Sequence, residues 1–302
     1  MPSPMLVSGS ANRGLAEGIA SRLGVALSPA AVERFPDGEV HVALKEDPRG
    51  RHVVLMQPTS PPPNEHLIEL LALADAARRA GASRITGVVP YFGYARQDRR
   101  DGVEAVMARL VADLIAAAGI TDLISVDVHT QAIEGFFTLP VRRLTAVPLL
   151  ADAIAQSLPG DAVIVAPDLG AAKLADVYAS LLGLPVAIVH KVRTGPEAVA
   201  AVRITGDVHG RTPVVVDDMI STGGTIVSAV HAVEAQGARS GAIVAATHGL
   251  FAGTCVDRLT GLGLRRILVT DSIRQPEQPD LPLSVVPLSG LIVGALAEGP
   301  LR

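Results

Sequence analysis

Short runs of β-branched and aliphatic residues alternate with longer amphipathic segments along most of the chain. Val214-Val215-Val216 is one such run, and soon after it the apolar residues Ile226, Val230 and Val233 recur at helical spacing. Gly237 follows where a glycine would end that helix. Repeated alternation of this kind predicts an α/β fold in which mainly parallel sheets are flanked by helices.

The same pattern predicts the individual elements. Strands are expected at 6–9, 51–57, 85–89, 123–126, 163–166, 186–189, 214–216, 242–247 and 266–270, with a return strand that starts at 201. Helices are expected at 11–23, 65–80 with Asn64 as the cap, 103–118, 151–158, 171–182, 226–236 and 289–297.

The pattern restarts near residues 144–148, and this restart predicts a domain boundary. The first domain is placed at residues 1–147 and the second at 148–288, and the C-terminal helix, 289–302, is expected to rejoin the first domain. An Ala-Gly-Ala-Ser-Arg segment at 80–84 is echoed by Gln-Gly-Ala-Arg-Ser at 236–240, each between a helix and a strand. Two similar halves, each with its site at strand ends, would face one another across a cleft.

Composition narrows the class of protein. The 302 residues are 49% apolar, enough for two aliphatic cores, and the net charge of −4 argues against a broad basic surface for nucleic acid. No apolar run approaches the roughly 20 residues that span a bilayer, so no membrane partner is expected. No secretory signal is evident at the N-terminus. The single cysteine, Cys255, excludes an intrachain disulfide and is interpreted as a packing residue of a cytoplasmic protein.

The turn after Val216 has the chemistry of a phosphate site. Ser221 to Thr225 offer hydroxyls and two glycines, so consecutive backbone N–H groups can turn inward beneath the positive end of the next helix. Asp217 and Asp218 lie one step upstream, where they would hold sugar hydroxyls or metal-bound water. A phosphate cradle beside vicinal acids predicts a phosphorylated sugar. An ordinary strand-to-helix turn is the alternative.

Three segments of the N-terminal half are also candidates, each with an open alternative. Phe35-Pro36-Asp37-Gly38-Glu39 is either a plain hairpin tip or a segment in which Phe35 stacks on a base while Asp37 and Glu39 accept hydrogen bonds from the base or from ribose. Pro90 to Arg100 combines three aromatic residues with three arginines, a composition that favours nucleotide binding over a solvated loop. Asp127-Val128-His129 follows a strand and offers either metal ligands or a structural hydrogen bond.

In the second half, Pro167-Asp168-Leu169-Gly170 places another acid at a strand exit. His190 to Glu197 is interpreted either as a solvated turn or as a loop that carries two cations, Lys191 and Arg193.

Taken in order, these motifs resemble those of the ribose-phosphate diphosphokinase (phosphoribosyl-diphosphate synthetase) family. The motifs that carry the resemblance are 35–39, 90–99, 127–129, Gly135-Phe136-Phe137 and 214–225. A type I phosphoribosyltransferase would resemble only the second half. The resemblance implies two similar type I phosphoribosyltransferase-like domains, an ATP side in the first and a ribose 5-phosphate side in the second.

The resemblance also implies an activity and a set of roles. The family transfers the diphosphoryl group of ATP to the anomeric hydroxyl of ribose 5-phosphate, with Mg²⁺, giving 5-phosphoribosyl 1-diphosphate and AMP. By resemblance, ATP is bound by Phe35, Asp37, Glu39, Arg96 and Gln97, and Mg²⁺ by His129 and Asp168. Ribose 5-phosphate is bound by Asp217, Asp218, Ser221, Thr222, Gly223, Gly224 and Thr225, while Lys191 and Arg193 are catalytic. A homo-oligomer, either a dimer or a trimer of dimers, would complete the adenine pocket.

The chain departs from the family pattern at several positions. Residues 101–106 form a shorter loop than usual, which argues against ADP control, and Ser221 replaces a third acid as in archaeal-type members. Leu169, Lys173 and Val192 also differ. A catalytically weak regulatory paralogue is therefore the alternative within the family.

Overall fold

The structure is a computed structural model that describes residues 3–192 and 201–299, apart from the side chains of residues 131, 191, 192, 201 and 202. It divides the chain into two compact units. The first contains residues 3–145, 272–274 and 287–299, and the second contains 146–271 and 275–286 within the described ranges. The division falls two residues before the sequence-based boundary, because a helix already starts at Val147.

Fifteen strands lie within the described part of the chain. They are β1 Met5–Ser8, β2 Leu27–Ser28, β3 Ala30–Arg34, β4 Val40–Leu44, β5 His52–Met56, β6 Arg84–Val89, β7 Asp122–Val126, β8 Val141–Leu144, β9 Ala162–Ala166, β10 Val186–Val192, β11 Ala201–Thr205, β12 Thr212–Ile220, β13 Ile243–Gly249, β14 Arg266–Thr270 and β15 Leu283–Val286.

The α-helices are α1 Arg13–Leu23, α2 Pro63–Arg79, α3 Met107–Ala118, α4 Val147–Ala155, α5 Ala172–Leu182, α6 Gly224–Ala235, α7 Cys255–Thr260 and α8 Ser289–Ala297. A 3-10 helix covers Gln131–Phe136. No helix among the described residues is both long enough and apolar enough to cross a membrane.

The two units share one sheet connectivity. The first sheet has the order β2-β1-β5-β6-β7-β8, all parallel, and the second has β10-β9-β12-β13-β14-β15 with β11 added antiparallel at its β10 edge. If the parallel strands of each sheet are numbered along the chain, both orders read second, first, third, fourth, fifth, sixth. In both units the antiparallel strands are inserted between the second and third parallel strands along the chain. They are the β3–β4 hairpin in the first unit and β11 in the second.

The burial of the inner strands explains why their sequences are almost entirely apolar. The central strands β5, β9 and β14 are almost entirely buried, as expected for parallel strands that are covered on both faces. In the first unit, Leu70, Ala74 and Val111 from α2 and α3 pack onto the sheet. In the second unit, α6 contributes the face Ile226, Val230 and Val233 that the periodicity predicts.

Several element boundaries differ from the predicted ones. α2 begins at Pro63 with Pro62 at its N-cap, so the predicted Asn64 cap is wrong, and Asn64 instead accepts a hydrogen bond from the Tyr94 hydroxyl. α3 begins at Met107 rather than at 103, and Val103 is 96% exposed. The segment between 270 and 289, for which no element is predicted, contains β15.

Candidate functional site

The site of the second unit lies at the carboxyl ends of two neighbouring strands whose following connections run toward opposite edges of the sheet. β9 and β12 are adjacent, and their helical connections lead to opposite edges, which makes their carboxyl ends a topological switch point. Open α/β sheets bind ligands in the crevice at this point. Asp168 follows β9, and Asp217 and Asp218 lie on β12. Because β12 continues to Ile220, both acids lie within the strand rather than after it, which corrects the sequence-based boundary at 216.

Burial and neighbouring charge keep a proton on Asp217. Desolvation, then the carboxylate of Asp218, raise the pKa of Asp217 to about 8, and the charge of Asp168 adds to the shift. The amide of Asp218 donates to Asp217 Oδ1 at 2.9 Å and acts in the opposite direction. A cation or a hydroxyl donor bound here would relieve this repulsion.

Asp168 also has a local structural role. Its Oδ1 accepts hydrogen bonds from the amides of Gly170 at 2.9 Å and Ala171 at 3.2 Å, just before α5. These bonds fix the orientation of the carboxylate at the strand exit. Leu169, one of the positions that depart from the family pattern, follows Asp168 and is 64% exposed.

The loop from Ser221 to Thr225, which we call the cradle, joins β12 to the start of α6. Gly223 is the N-cap of α6 at φ 76°, a left-handed conformation that favours glycine. The first turn of α6 leaves amide N–H groups without helical acceptors, and the helix dipole adds positive potential there. Ser221, Gly224 and Thr225 are partly exposed and Thr222 is exposed, so the loop is accessible to a ligand.

α7 and the segment before it contact the cradle and support its backbone. Amides of Leu250 and Phe251 donate to Ile220 O, and the amide of Ala252 donates to Ser221 O. A Cβ added at Gly223 would lie 3.0 Å from the Cys255 sulfur. Cys255 is fully buried, and burial raises its thiol pKa to about 11, which agrees with the interpretation of a packing residue.

Arg258 on α7 is a residue of this site that the sequence did not reveal. Its Nη1 donates to the carbonyl of Thr222 at 3.3 Å and lies 3.6 Å from the position that a Cβ at Gly224 would take. Among the described residues, no carboxylate forms an ion pair with Arg258. Because α7 is not among the predicted helices, nothing in the sequence pattern singled out Arg258.

Of the two cations predicted to be catalytic, the structure describes only the backbone of Lys191. Lys191 lies in β10, in register with Val202 of β11, and its side chain is not described. β10 extends to Val192, so His190 and Lys191 are strand residues rather than loop residues. Arg193 lies outside the described residues.

In the first unit, residues 35–39 form the tip of the β3–β4 hairpin. The tip is bonded to itself, because the Phe35 amide donates to Glu39 O at 2.9 Å and the Gly38 amide to Phe35 O at 2.8 Å. Asp37 Oδ1 accepts from the Glu39 amide at 3.1 Å. The Phe35 ring is 51% exposed and its centroid lies 5.6 Å from that of His41. An exposed ring and two exposed acids at one tip suit contact with a base.

The segment from Pro90 to Arg100 divides into a buried and an exposed part. Tyr91 and Phe92 are buried, and the Phe92 ring packs on Phe137 at 5.5 Å, so these two rings belong to the core rather than to a base-stacking surface. Arg96 and Gln97 are exposed. The Gln97 amide donates to Tyr94 O at 2.9 Å, which closes the turn that presents them.

His129 follows β7, so it lies at the same carboxyl edge of the first sheet as the 90–100 segment, which follows β6. Its side chain is exposed. The neighbouring Thr130 hydroxyl donates to Asp98 Oδ2 at 2.9 Å, so the loop after β7 is tied to the loop that carries Arg96 and Gln97. His129 and Asp168 lie in different units. Among the described residues, no three His, Cys, Asp or Glu side chains are grouped closely enough to hold a metal ion.

The switch point of the first unit is filled by its own side chains. A Cβ added at Gly9, after β1, would overlap the side chain of Gln57, which follows β5. Gln57 Oε1 accepts from the Ala11 amide at 3.1 Å, and its Nε2 donates to Glu69 at 2.8 Å. Glu69 is 1% exposed, and no pattern in the sequence indicates that this acid is buried.

Comparison with known proteins places this architecture in one family. The family model described as the N-terminal domain of ribose phosphate pyrophosphokinase matches residues 4–119, and the phosphoribosyl transferase domain model matches residues 145–260. Relatives named ribose-phosphate pyrophosphokinase are 42% identical in Gloeobacter violaceus, over 97% of this chain and 90% of the relative. Another, in Aquifex aeolicus, is 39% identical over 97% of this chain and 96% of the relative.

A solved structure is similar over nearly the whole length. The crystal structure of phosphoribosylpyrophosphate synthetase from Mycobacterium smegmatis has 38% sequence identity, covers 98% of both chains and superposes with a TM-score of 0.88.

Fold and site together define an α/β protein with two phosphoribosyltransferase-like domains. More particularly, the chain belongs to the ribose-phosphate pyrophosphokinase family. This membership confirms the predictions of family, of fold class and of a ribose-phosphate diphosphokinase enzyme. The names of these relatives are those of the enzyme, and none of them denotes a regulatory subunit.

Proposed function

We propose that the chain binds ATP on its first unit and ribose 5-phosphate on its second, and converts them to 5-phosphoribosyl 1-diphosphate and AMP. The observation that carries this proposal is the acid pair Asp217–Asp218 on β12 followed directly by the glycine-rich cradle at the start of α6. Acids would hold the ribose hydroxyls, and the loop amides with the hydroxyls of Ser221, Thr222 and Thr225 would hold the 5-phosphate.

Arg258 adds a cation to this ribose 5-phosphate site. Its guanidinium holds the Thr222 carbonyl and so fixes the shape of the loop. The same charge favours a dianionic phosphate at the cradle, because attraction between opposite charges is strongest within a few ångströms.

On the first unit, we assign adenine contact to Phe35, Asp37 and Glu39, and phosphate contact to Arg96 with Gln97. The ring of Phe35 offers a face for stacking, and the two acids accept hydrogen bonds from an exocyclic amine. Because the tip protrudes and one side of a bound base would stay uncovered, a second copy of the chain is proposed to complete the pocket, in a dimer or a trimer of dimers. We place the enzyme in the cytoplasm.

Magnesium fits the residues that are present. Mg²⁺ usually keeps several waters and is held by one or two carboxylates together with substrate phosphates, so a closed group of three protein ligands is not required. Asp168 supplies a carboxylate whose orientation is fixed, and His129 would act directly or through water. When bound, the ion neutralises phosphate oxygens of the transferred group.

The protein's part in the reaction is positioning and charge neutralisation. The anomeric hydroxyl attacks the β-phosphorus of ATP, the bond to the AMP oxygen breaks, and AMP leaves. The cradle and the acids hold the hydroxyl in line, while Lys191 and Arg193 stabilise the charge on the diphosphate. Such cations can contribute about 10³-fold or more to the rate. We therefore expect Lys191→Ala and Arg193→Ala each to lower kcat strongly with little change in the KM for ribose 5-phosphate.

The decisive test is release of AMP from ATP, followed chromatographically, together with a phosphorus spectrum of the product. AMP release that requires both ribose 5-phosphate and Mg²⁺ supports the proposal. Consumption of phosphoribosyl diphosphate that depends on a base, without AMP release from ATP, would favour a phosphoribosyltransferase. ATP binding without turnover would indicate a regulatory paralogue.

A further inference from the structure

Glu69 is a buried carboxylate to which the proposed reaction gives no role. Its side chain, on α2, is 2% exposed. It accepts hydrogen bonds from Ser10 N at 3.1 Å, Ser10 Oγ at 2.6 Å, Gln57 Nε2 at 2.8 Å and Arg34 Nη2 at 3.4 Å. Burying a charged group is costly unless donors surround it, and here they come from three separate parts of the first unit.

The position of Glu69 gives a first indication of its role. Ser10 follows β1 and Gln57 follows β5, so both donors stand at the switch point of the first sheet. An anion bound from outside would meet the same amide and hydroxyl of Ser10. In the structure the carboxylate of Glu69 occupies this place.

Arg34 connects this buried carboxylate to the hairpin. It is the last residue of β3 and directly precedes Phe35. Its Nη2 lies 2.5 Å from Glu65 Oε2 and 3.4 Å from Glu69 Oε1, so one guanidinium group joins the base of the hairpin to two successive turns of α2. We call this contact the hairpin clamp.

The clamp holds the end of the hairpin that is next to the tip. Residues 35–39 are held by hydrogen bonds within the tip itself. The body of the hairpin is held on the core by the apolar side chains of Val32, Val42 and Leu44. The contacts of Arg34 with Glu65 and Glu69 add a polar anchor where the tip begins. Glu65 is 46% exposed and competes with water, whereas Glu69 is fixed by Ser10 and Gln57 and supplies the immobile half of the clamp.

We infer that Glu69 is a positioning residue for the nucleotide, because it anchors Arg34 and thereby fixes the orientation of the 35–39 tip that contacts adenine. The inference rests on the proposed function only for the identity of the base. Glu69 itself does not touch the substrate.

The test compares Glu69→Gln and Arg34→Gln with the wild-type enzyme in steady-state kinetics. We expect the KM for ATP to rise about tenfold or more, the cost of a misplaced contact of about 1.4 kcal/mol, while the KM for ribose 5-phosphate stays unchanged. Arg34→Lys keeps the charge and should recover part of the ATP affinity. Arg13→Gln is the matched control, because Arg13 forms an exposed pair with Glu17 at 2.9 Å on α1 of the same unit and loses the same charge.

Hydrogen exchange provides a readout that does not need turnover. Amides of residues 30–44 should exchange faster in Glu69→Gln and Arg34→Gln than in wild type or Arg13→Gln, and ATP should slow that exchange less in the two variants. If Glu69→Gln does not fold, Arg34→Gln decides the question, because its side chain is 42% exposed and its loss leaves the buried contacts of Glu69 intact. Unchanged ATP KM together with unchanged exchange in Arg34→Gln would refute the clamp. Absence of AMP release in the wild type would refute the proposed function alone, since exchange still tests the clamp.

Discussion

Burial and two nearby carboxylates keep Asp217 protonated at pH values where an exposed aspartate has lost its proton. This residue shows how one strand position can serve both stability and binding. An acid whose ionisation is opposed in the empty site gains most from a ligand that brings a positive charge or a hydrogen-bond donor.

Ionisation of Asp217 should make the ligand-free protein less stable as pH rises. Its folded-state pKa is about 8 against an ordinary value of 3.8, so the folded state binds more protons between these values. The contribution of Asp217 to the free energy of unfolding is therefore fully present below pH 3.8 and is lost as pH rises through about 8. We expect Asp217→Asn to become progressively more stable than wild type as pH rises across this window, in urea unfolding without Mg²⁺. Asp280→Asn, at an exposed position of the same unit, should show no such trend.

Gly223 is required by both its backbone and its neighbour. At φ 76° an alanine costs about 1–3 kcal/mol, and its Cβ would also press on Cys255. Gly223→Ala should therefore lower the free energy of unfolding and raise the KM for ribose 5-phosphate. Gly210→Ala is the matched control, with φ 66° and nothing within 4 Å of the added Cβ, and should show the backbone cost without the kinetic effect.

At the scale of elements, the cradle depends on a short helix that is remote in sequence. α7 follows β13, and it reaches the cradle through Cys255 below Gly223 and through Arg258 at Thr222. Such a brace lets a glycine-rich loop keep one shape before its ligand arrives, which reduces the ordering cost of binding.

Loss of the Arg258 side chain should weaken this site selectively. We expect Arg258→Gln to raise the KM for ribose 5-phosphate several-fold, with the KM for ATP unchanged, because both a loop contact and a positive charge disappear. Arg265→Gln removes the same charge from an exposed position after α7 and serves as the control. Equal effects of the two substitutions would mean that only the overall charge matters.

The elements also show what sequence can predict and why. Dense β-branched runs gave β5, β9 and β13 because burial on both faces requires such residues. β2, β8 and β15, of two to four residues, were missed because so short a strand carries little pattern of its own. β1 is equally short but was predicted, because Leu6 and Val7 stand just before the turn at Gly9. The strand, the glycine-rich turn and the helix around the cradle could be predicted from their local residues. Arg258 and Glu69 could not, because their roles arise from contacts between residues far apart in the chain.

At the scale of the whole molecule, the first unit is assembled from separated stretches of chain. α8 packs against α1, where Arg22 Nε donates to Ser289 Oγ at 3.0 Å, and Ile292 and Ala295 are buried. Arg142 at β8 donates to the carbonyls of Ala295 and Gly299 and pairs with Glu298.

Removal of residues 287–302 should accordingly damage the first unit and spare the second. The truncation exposes the α1 face and leaves Arg142 without these partners, at a cost of a few kcal/mol from lost burial and hydrogen bonds. Hydrogen exchange should accelerate in β1 and β8 while β12 and β13 keep their protection. Uniform acceleration in both sheets would contradict this separation.

The place of α8 has a consequence for the order in which a newly made chain can fold. Residues 146–286 contain every strand of the second sheet, so that half has all its parts as soon as they leave the ribosome. The half that is translated first must wait for α8, which is translated only after the second half, and until then its α1 surface stays uncovered.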